Sequence, residues 1–289
     1  MTMVKGNKKK CASAESPGVL SLCGGVALLL VGLYAFAFIA LKSDSSASEH
    51  ESLTSTMHVA QVDDEIFSGT VEMQGGSDGV GPVELPYLHC GPRHTPSYGK
   101  AGGHAELLLL HGAKFTKEDW KTSGIMKKFC KDSKARPGFS VTALDLPISA
   151  VGSALVDAFD SLVKEKVLSG DPAVFVTPSA SGKAMITMKE AVKHDGSRLA
   201  SITDMIQMWI PVACGGVLKA ESDALAIFHD VPVLAIYGSE DPVAGKKSSE
   251  LLSKLIGAET VELKGRHPVY LDSPDEFVEL IAKRVVSSS

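Results

Sequence analysis

The sequence predicts an α/β fold on a mostly parallel central sheet flanked by helices. Three observations carry this: six continuous apolar runs recur between Ala105 and Gly265, amphipathic segments alternate with them, and four of the runs end in loops dense in chemistry-bearing side chains. Apolar runs without alternation suit strands covered on both faces. Strand and helix in alternation argue for right-handed crossovers. The 289 residues, 44% hydrophobic and 22% charged, are ordinary globular material with room for one large core. A net charge of −5 offers no basic face, so a nucleic-acid partner is set aside.

Residues 1–17 read as a cytosolic tail. From Gly18 to Leu41, "GVLSLCGGVALLLVGLYAFAFIAL" runs 24 residues without a charge. That exceeds the roughly 20 needed to cross a bilayer and the roughly 7–15 of a signal-peptide apolar region. Residues 18–41 are therefore expected to form a transmembrane signal anchor. Lys5, Lys8, Lys9 and Lys10 precede it, whereas Lys42 alone follows before Asp44, Glu49 and Glu51. The lysine bias keeps the N-terminus cytosolic and puts the body on the lumenal or extracellular side. The alternative is secretion after signal cleavage, with Ser45 to Ser48 offering a site. Residues 42–56, rich in serine and acids, are a polar linker. Residues 57–289 form the folded domain.

Cysteine usage adds little. Cys11 and Cys23 belong to the tail and anchor, and Cys90, Cys130 and Cys214 remain in the body, an odd number without paired spacing. The expectation is three small buried side chains. Asn7, the only asparagine, lies in "NKK", which is not a glycosylation acceptor.

Within the body, "MHVAQV", "IFSGTVEM" and "VELPYLHC" read as early strands. The six apolar runs follow: Ala105 to Leu110, Phe139 to Leu146, Pro172 to Thr177, Met205 to Ala213, Pro232 to Gly238 and Glu259 to Gly265. Helices are expected over Lys117 to Lys131, Ala154 to Val167, Gly182 to His194 and Ser248 to Ile256, with Pro274 opening a last one to Val286.

Ligands of such sheets bind beyond the carboxyl ends of the strands, which singles out "HGAKF", "PSASG", "SEDPV" and "GRHPVYL". A nucleophile elbow needs small residues two before and two after its serine, because the strained turn crowds larger side chains. Around Ser179 the flanks are Thr177 and Ser181; around Ser181 they are Ser179 and Lys183. Lysine does not fit the crowded position, so Ser179 is the better nucleophile.

The stretches "LLLLHGAKFTKEDW", "TALDLP", "VTPSASG", "PVLAIYGSEDPV" and "GRHPVYLDSPDEF" resemble the alpha/beta hydrolases. Within them they are similar to the alpha/beta-hydrolase-domain-containing 14 proteins, from about Leu107 to the C-terminus. The resemblance implies an alpha/beta-hydrolase fold with a Ser–Asp–His triad in that chain order, carried onto Ser179, Asp241 and His267. It also implies that one branch carries an N-terminal membrane anchor. In such a triad His267 takes the proton from Ser179 and returns it to the leaving group, while Asp241 fixes the imidazole tautomer. The oxyanion donors of this architecture would be the backbone N–H groups of Ala113 and Ala180.

Each residue has a plainer reading alone: Ser179 as a helix cap, Asp241 as a turn residue before Pro242, His267 as a loop histidine, and His111 as a structural hydrogen-bonder. Their order and their common placement past strand ends join the first three. Thr177 replaces the usual glycine before the nucleophile, and "DLPISAVGS" lacks the glycine that the family places after Pro147.

The function expected is a membrane-anchored serine hydrolase that cleaves or transfers a short acyl group from an ester, thioester or amide. The alternative is a catalytically idle hydrolase fold used for interaction. No cofactor or metal is expected, since no GxGxxG, P-loop or metal-ligand spacing occurs. The partners expected are a small acyl-bearing substrate and, through residues 18–41, the membrane. In this fold a lid, where present, is inserted before the strand of the acid. The 20 residues between Ile210 and Val231 must also supply a crossover helix of about 10–12 residues, which leaves little or no lid.

Overall fold

The computed structural model describes residues 66–73, 82–91, 105–131, 138–192 and 203–287. The early strand expected at 57–62, the linker and the transmembrane segment lie outside them. Among the described residues no helix is long and apolar enough to cross a membrane.

Among the described residues eight strands form one sheet in the order β1-β2-β4-β3-β5-β6-β7-β8. β1 (Phe67–Met73) and β2 (Val83–Cys90) pair antiparallel, and β2 also runs antiparallel to β4 (Ser140–Leu144). From β4 onward the sheet is parallel through β3 (Glu106–Leu109), β5 (Ala173–Pro178), β6 (Ile206–Val212), β7 (Leu234–Gly238) and β8 (Glu259–Leu263). The chain winds outward from β3 in both directions.

Continuous apolar runs work here because both faces are covered. Leu108 of β3 and Phe175 of β5 point into one core with Leu155, Phe159 and Leu162 of α3 (Gly152–Lys164). Leu107, Leu109, Val174 and Val176 point into the other. Trp120 of α1 (Lys117–Thr122) and Phe129 of α2 (Ile125–Cys130) line that second core with the C-terminal helix. Each such fully buried side chain contributes about 1.5–3 kcal/mol.

Four expectations are corrected. The helix expected from Lys117 to Lys131 is two, because Gly124 interrupts it with φ 76°. The helix expected from Gly182 is also two, α4 (Gly182–Ile186) and α5 (Met188–Val192). The β6–β7 crossover contains two 3₁₀ segments, Gly215–Lys219 and Ser222–Phe228, rather than a helix. Val217, Leu225 and Phe228 bury them against the sheet, with the Phe228 and Trp209 ring centroids 4.7 Å apart. They form a strap, not a separate lid. Finally, Cys90 and Cys130 are not free buried side chains but a disulfide, with Cα atoms 6.0 Å apart. Sequence spacing missed the pair because the fold, not proximity in the chain, brings β2 against the end of α2. Cys214 is free and buried, and burial pushes its thiol up to about 12.

The chain closes with α6 (Lys247–Ile256), α7 (Val269–Asp272) and α8 (Pro274–Ser287).

Candidate active site

At the carboxyl end of β5 the chain turns sharply. Ser179 has φ 51°, a left-handed backbone that costs a non-glycine residue about 1–2 kcal/mol. It opens the 3₁₀ turn Ser179–Ser181, which runs directly into α4. Such strain persists only where the surroundings over-determine it. Here Thr177 is fully buried and its Oγ1 accepts a hydrogen bond from Trp209 Nε1 at 2.8 Å. The β-branched residue where the family carries glycine is thus tied to the neighbouring strand. Gly182 packs so tightly that a Cβ there would lie 1.9 Å from Cys214 Sγ. The hydroxyl of Ser181 is buried and donates to the Pro178 carbonyl at 2.9 Å, so it closes the turn. Ser179 instead lines a pocket of about 270 Å³.

The same pocket is lined by Gly112, Ala113, Lys114 and Phe115 from the loop after β3, and by His267 and Pro268 from the loop after β8. The β3 loop is a tight turn in which Phe115 N–H donates to the Gly112 carbonyl at 3.0 Å. A Cβ on Gly112 would lie 3.7 Å from Ser179 Cβ, so this backbone abuts the serine. Ala113 faces the pocket, and Ala180 sits in the 3₁₀ turn directly after Ser179. His111 turns away from the chemistry: its Nδ1–H donates to the Gly112 carbonyl at 3.0 Å and its Nε2 lies 3.6 Å from Asp145. Asp145 also accepts from Lys117 N–H at 2.6 Å and from its Nζ at 3.0 Å, which anchors the start of α1.

His267 Nδ1–H donates to Asp241 Oδ2 at 2.8 Å. In the neutral tautomer that makes this bond, Nε2 is the ring nitrogen that can accept a proton. Asp241 is buried beyond the pocket wall, and its Oδ1 accepts from Ala244 N–H at 3.0 Å. The two loops that carry this pair are pinned together. Ser239 N–H donates to the Leu263 carbonyl at 2.8 Å, and Glu240 N–H donates to the Gly265 carbonyl at 2.9 Å. They approach so closely at Gly238 that a Cβ there would meet the Gly265 and Arg266 carbonyl oxygens at 2.4 and 2.5 Å. Beside His267, Arg266 N–H donates to Asp272 Oδ2 at 2.7 Å and its Nη2 to Oδ1 at 2.8 Å. These hydrogen bonds hold the Asp272 carboxyl at about 2.

The site therefore brings together a strained serine, a histidine hydrogen-bonded through Nδ1, and the buried carboxylate that accepts that bond. Sequence reasoning singled out the loops that carry the pocket walls Lys114, Phe115 and Pro268 but gave these residues no role of their own. It missed the Thr177–Trp209 hydrogen bond, which joins positions far apart in the chain.

Known proteins supply the family. No protein-family model matches the chain. ABHD14B of Pongo abelii, named as a candidate protein-lysine deacylase, is 30% identical over 192 residues, which cover 62% of this chain and 82% of that protein. The chain belongs to the alpha/beta-hydrolase-domain-containing 14 family. The human ABHD14B is 29% identical over the same length. Solved esterases share the fold. The thermophilic esterase of Thermogutta terrifontis matches with TM-score 0.52 and 13% identity, over 76% of this chain and 99% of its own. Esterase RhEst1 of a Rhodococcus species matches with TM-score 0.52 and 14% identity, over 78% and 99%.

Proposed function

We propose that this hydrolase, of the esterase and deacylase type, uses Ser179, His267 and Asp241 to cleave or transfer a short acyl group held as an ester, thioester or amide. The observation that most supports the reading is the left-handed Ser179 at the end of β5, in one pocket with a histidine hydrogen-bonded to a buried aspartate at 2.8 Å.

Ser179 Oγ attacks the acyl carbonyl as its proton passes to His267 Nε2. Asp241 stabilises the imidazolium that forms. The N–H groups of Ala113 and Ala180 receive the oxyanion, and removing one such donor costs about 10²–10³ in rate in a comparable site. The leaving group departs with the proton from His267. Water, or another nucleophile in transfer, then attacks the acyl-serine by the same steps in reverse order.

A pocket of about 270 Å³ suits a short acyl group, being below the roughly 300–1,000 Å³ of sites for drug-sized ligands. Each further CH₂ would gain about 0.8 kcal/mol only if an apolar wall buried it.

The chain is read as a single-pass membrane protein: residues 1–17 cytosolic, 18–41 the anchor, 42–56 the linker, and 57–289 the hydrolase domain on the lumenal or extracellular side. The Cys90–Cys130 disulfide supports that side, since disulfides persist in oxidising compartments and are rare in the cytosol.

One experiment tests both parts. A fluorophosphonate probe added to sealed microsomes is expected to label the wild-type chain and not Ser179→Ala, and the labelled domain to resist added protease until detergent is present. Equal labelling of Ser179→Ala refutes the nucleophile. Digestion without detergent refutes the orientation.

A further inference from the structure

We propose that Lys114 selects substrates that carry a negative charge close to the scissile acyl carbonyl. The inference rests on the serine-hydrolase reading above and goes beyond it by naming the charge of the substrate.

The pocket wall is mostly apolar or neutral, formed by Gly112, Ala113, Phe115, Pro178 and Pro268 around Ser179. Lys114 is exposed and lines the same pocket. It follows Ala113, the proposed oxyanion donor, in the loop that faces Ser179 across this pocket. The neighbouring cations are already occupied. Lys117 pairs with Asp145 at 3.0 Å and with Glu118 at 3.5 Å. Arg266 is held by Asp272 at 2.8 Å. Lys114 has no carboxylate partner among the described residues. Asp241, the carboxylate that accepts from His267, is committed to that bond. A cation at a small apolar pocket without an internal counter-ion leaves its charge for the ligand.

The fitting class is a short acyl ester with a carboxylate, either at the far end of the acyl chain, as in a half-acyl dicarboxylic acid, or on the leaving group. In both cases attack at the carbonyl is unchanged, and the carboxylate stays intact while paired with the Lys114 ammonium.

The test uses two ester pairs. p-Nitrophenyl hexanoate against mono-p-nitrophenyl adipate puts the charge on the acyl group. Methyl p-acetoxybenzoate against p-acetoxybenzoate puts it on the leaving group. The quantity read is the ratio of kcat/KM for the anionic to the neutral member. In one pair this ratio is expected to fall about fivefold in Lys114→Met, the scale of a single partly exposed charge pair. It should be kept in Lys114→Arg and fall further in Lys114→Glu. The wild-type ratio should also shrink as salt rises, because an exposed cation is screened. The pair that responds identifies where the charge sits. Ratios equal in wild type and Lys114→Met for both pairs, with neutral esters still turned over, overturn this proposal alone. Absence of turnover on all four esters overturns the hydrolase reading and this one with it.

Discussion

The two halves of the candidate site are held by different forces. The nucleophile half follows β5, in which every residue is buried, and its turn is fixed by volume at Gly182 against Cys214 and by a buried hydrogen bond from Trp209 to Thr177. The acid–base half hangs from β7 and from β8, an edge strand whose residues are all exposed or half-buried. There the loops are fixed by hydrogen bonds between Ser239, Glu240, Gly265, Arg266 and Asp272. Packing supplemented by buried hydrogen bonds sets where the serine stands, and polar contacts between loops set where the histidine stands. The two halves should therefore fail in different ways, the first through misfit and the second through lost charge or a misplaced proton.

The largest effect is expected from the proton. Asp241→Asn keeps the side-chain size and an oxygen for Ala244 N–H, yet its amide favours the wrong His267 tautomer. Turnover should fall about 10⁴-fold while the thermal midpoint barely moves. A loss under tenfold would mean that Asp241 does not orient the base. Next comes misfit. Gly182→Ala puts a methyl where Cys214 Sγ stands, and the buried thiol has to move. The expected cost is about 1–3 kcal/mol in urea denaturation, with activity lost as the elbow shifts. Adding Cys214→Ala should recover much of it, since residues in contact couple. A single mutant that melts like wild type would show that volume does not fix the elbow.

Much of this organisation is legible in the sequence because the physics behind it is local. The apolar runs at Leu107 and Val174 read as strands because burial on both faces leaves no polar alternation. Ser179 could be preferred to Ser181 because Lys183 does not fit a crowded turn, and the structure gives the Ser181 hydroxyl to the Pro178 carbonyl. What was not legible depends on contacts that span the chain. Cys90 and Cys130 stand 40 residues apart, and nothing in that spacing marks a pair. The β6–β7 crossover adopts 3₁₀ turns because Val217, Leu225 and Phe228 are packed directly onto the sheet, a tertiary demand that local propensity does not encode. The pairing of Arg266 with Asp272, by contrast, spans only six residues, and what hides it is the geometry of the loop that enters α7.

That pairing gives the smallest expected effect and the sharpest test of the polar half. Asp272 titrates at about 2 in the folded chain against an ordinary 3.8, because it accepts hydrogen bonds from Arg266. A depressed carboxyl contributes above its unfolded value and is lost only as pH falls through its folded one. The Arg266 clamp therefore persists through neutral and mildly acidic pH and fails near pH 2, so it should add no inflection to activity between pH 5 and 9. Asp272→Asn keeps the shape and removes the charge. We expect kcat/KM to fall about two- to fivefold with an unchanged thermal midpoint, since an exposed ion pair contributes little to global stability. Because the Arg266 side chain is 74% exposed, salt should weaken the wild-type clamp. The gap between wild type and Asp272→Asn should then narrow as ionic strength rises toward 1 M, where the screening length falls to about 3 Å. A gap that ignores salt would mean that Asp272 holds the His267 loop by shape, and that both halves of the site are set by packing after all.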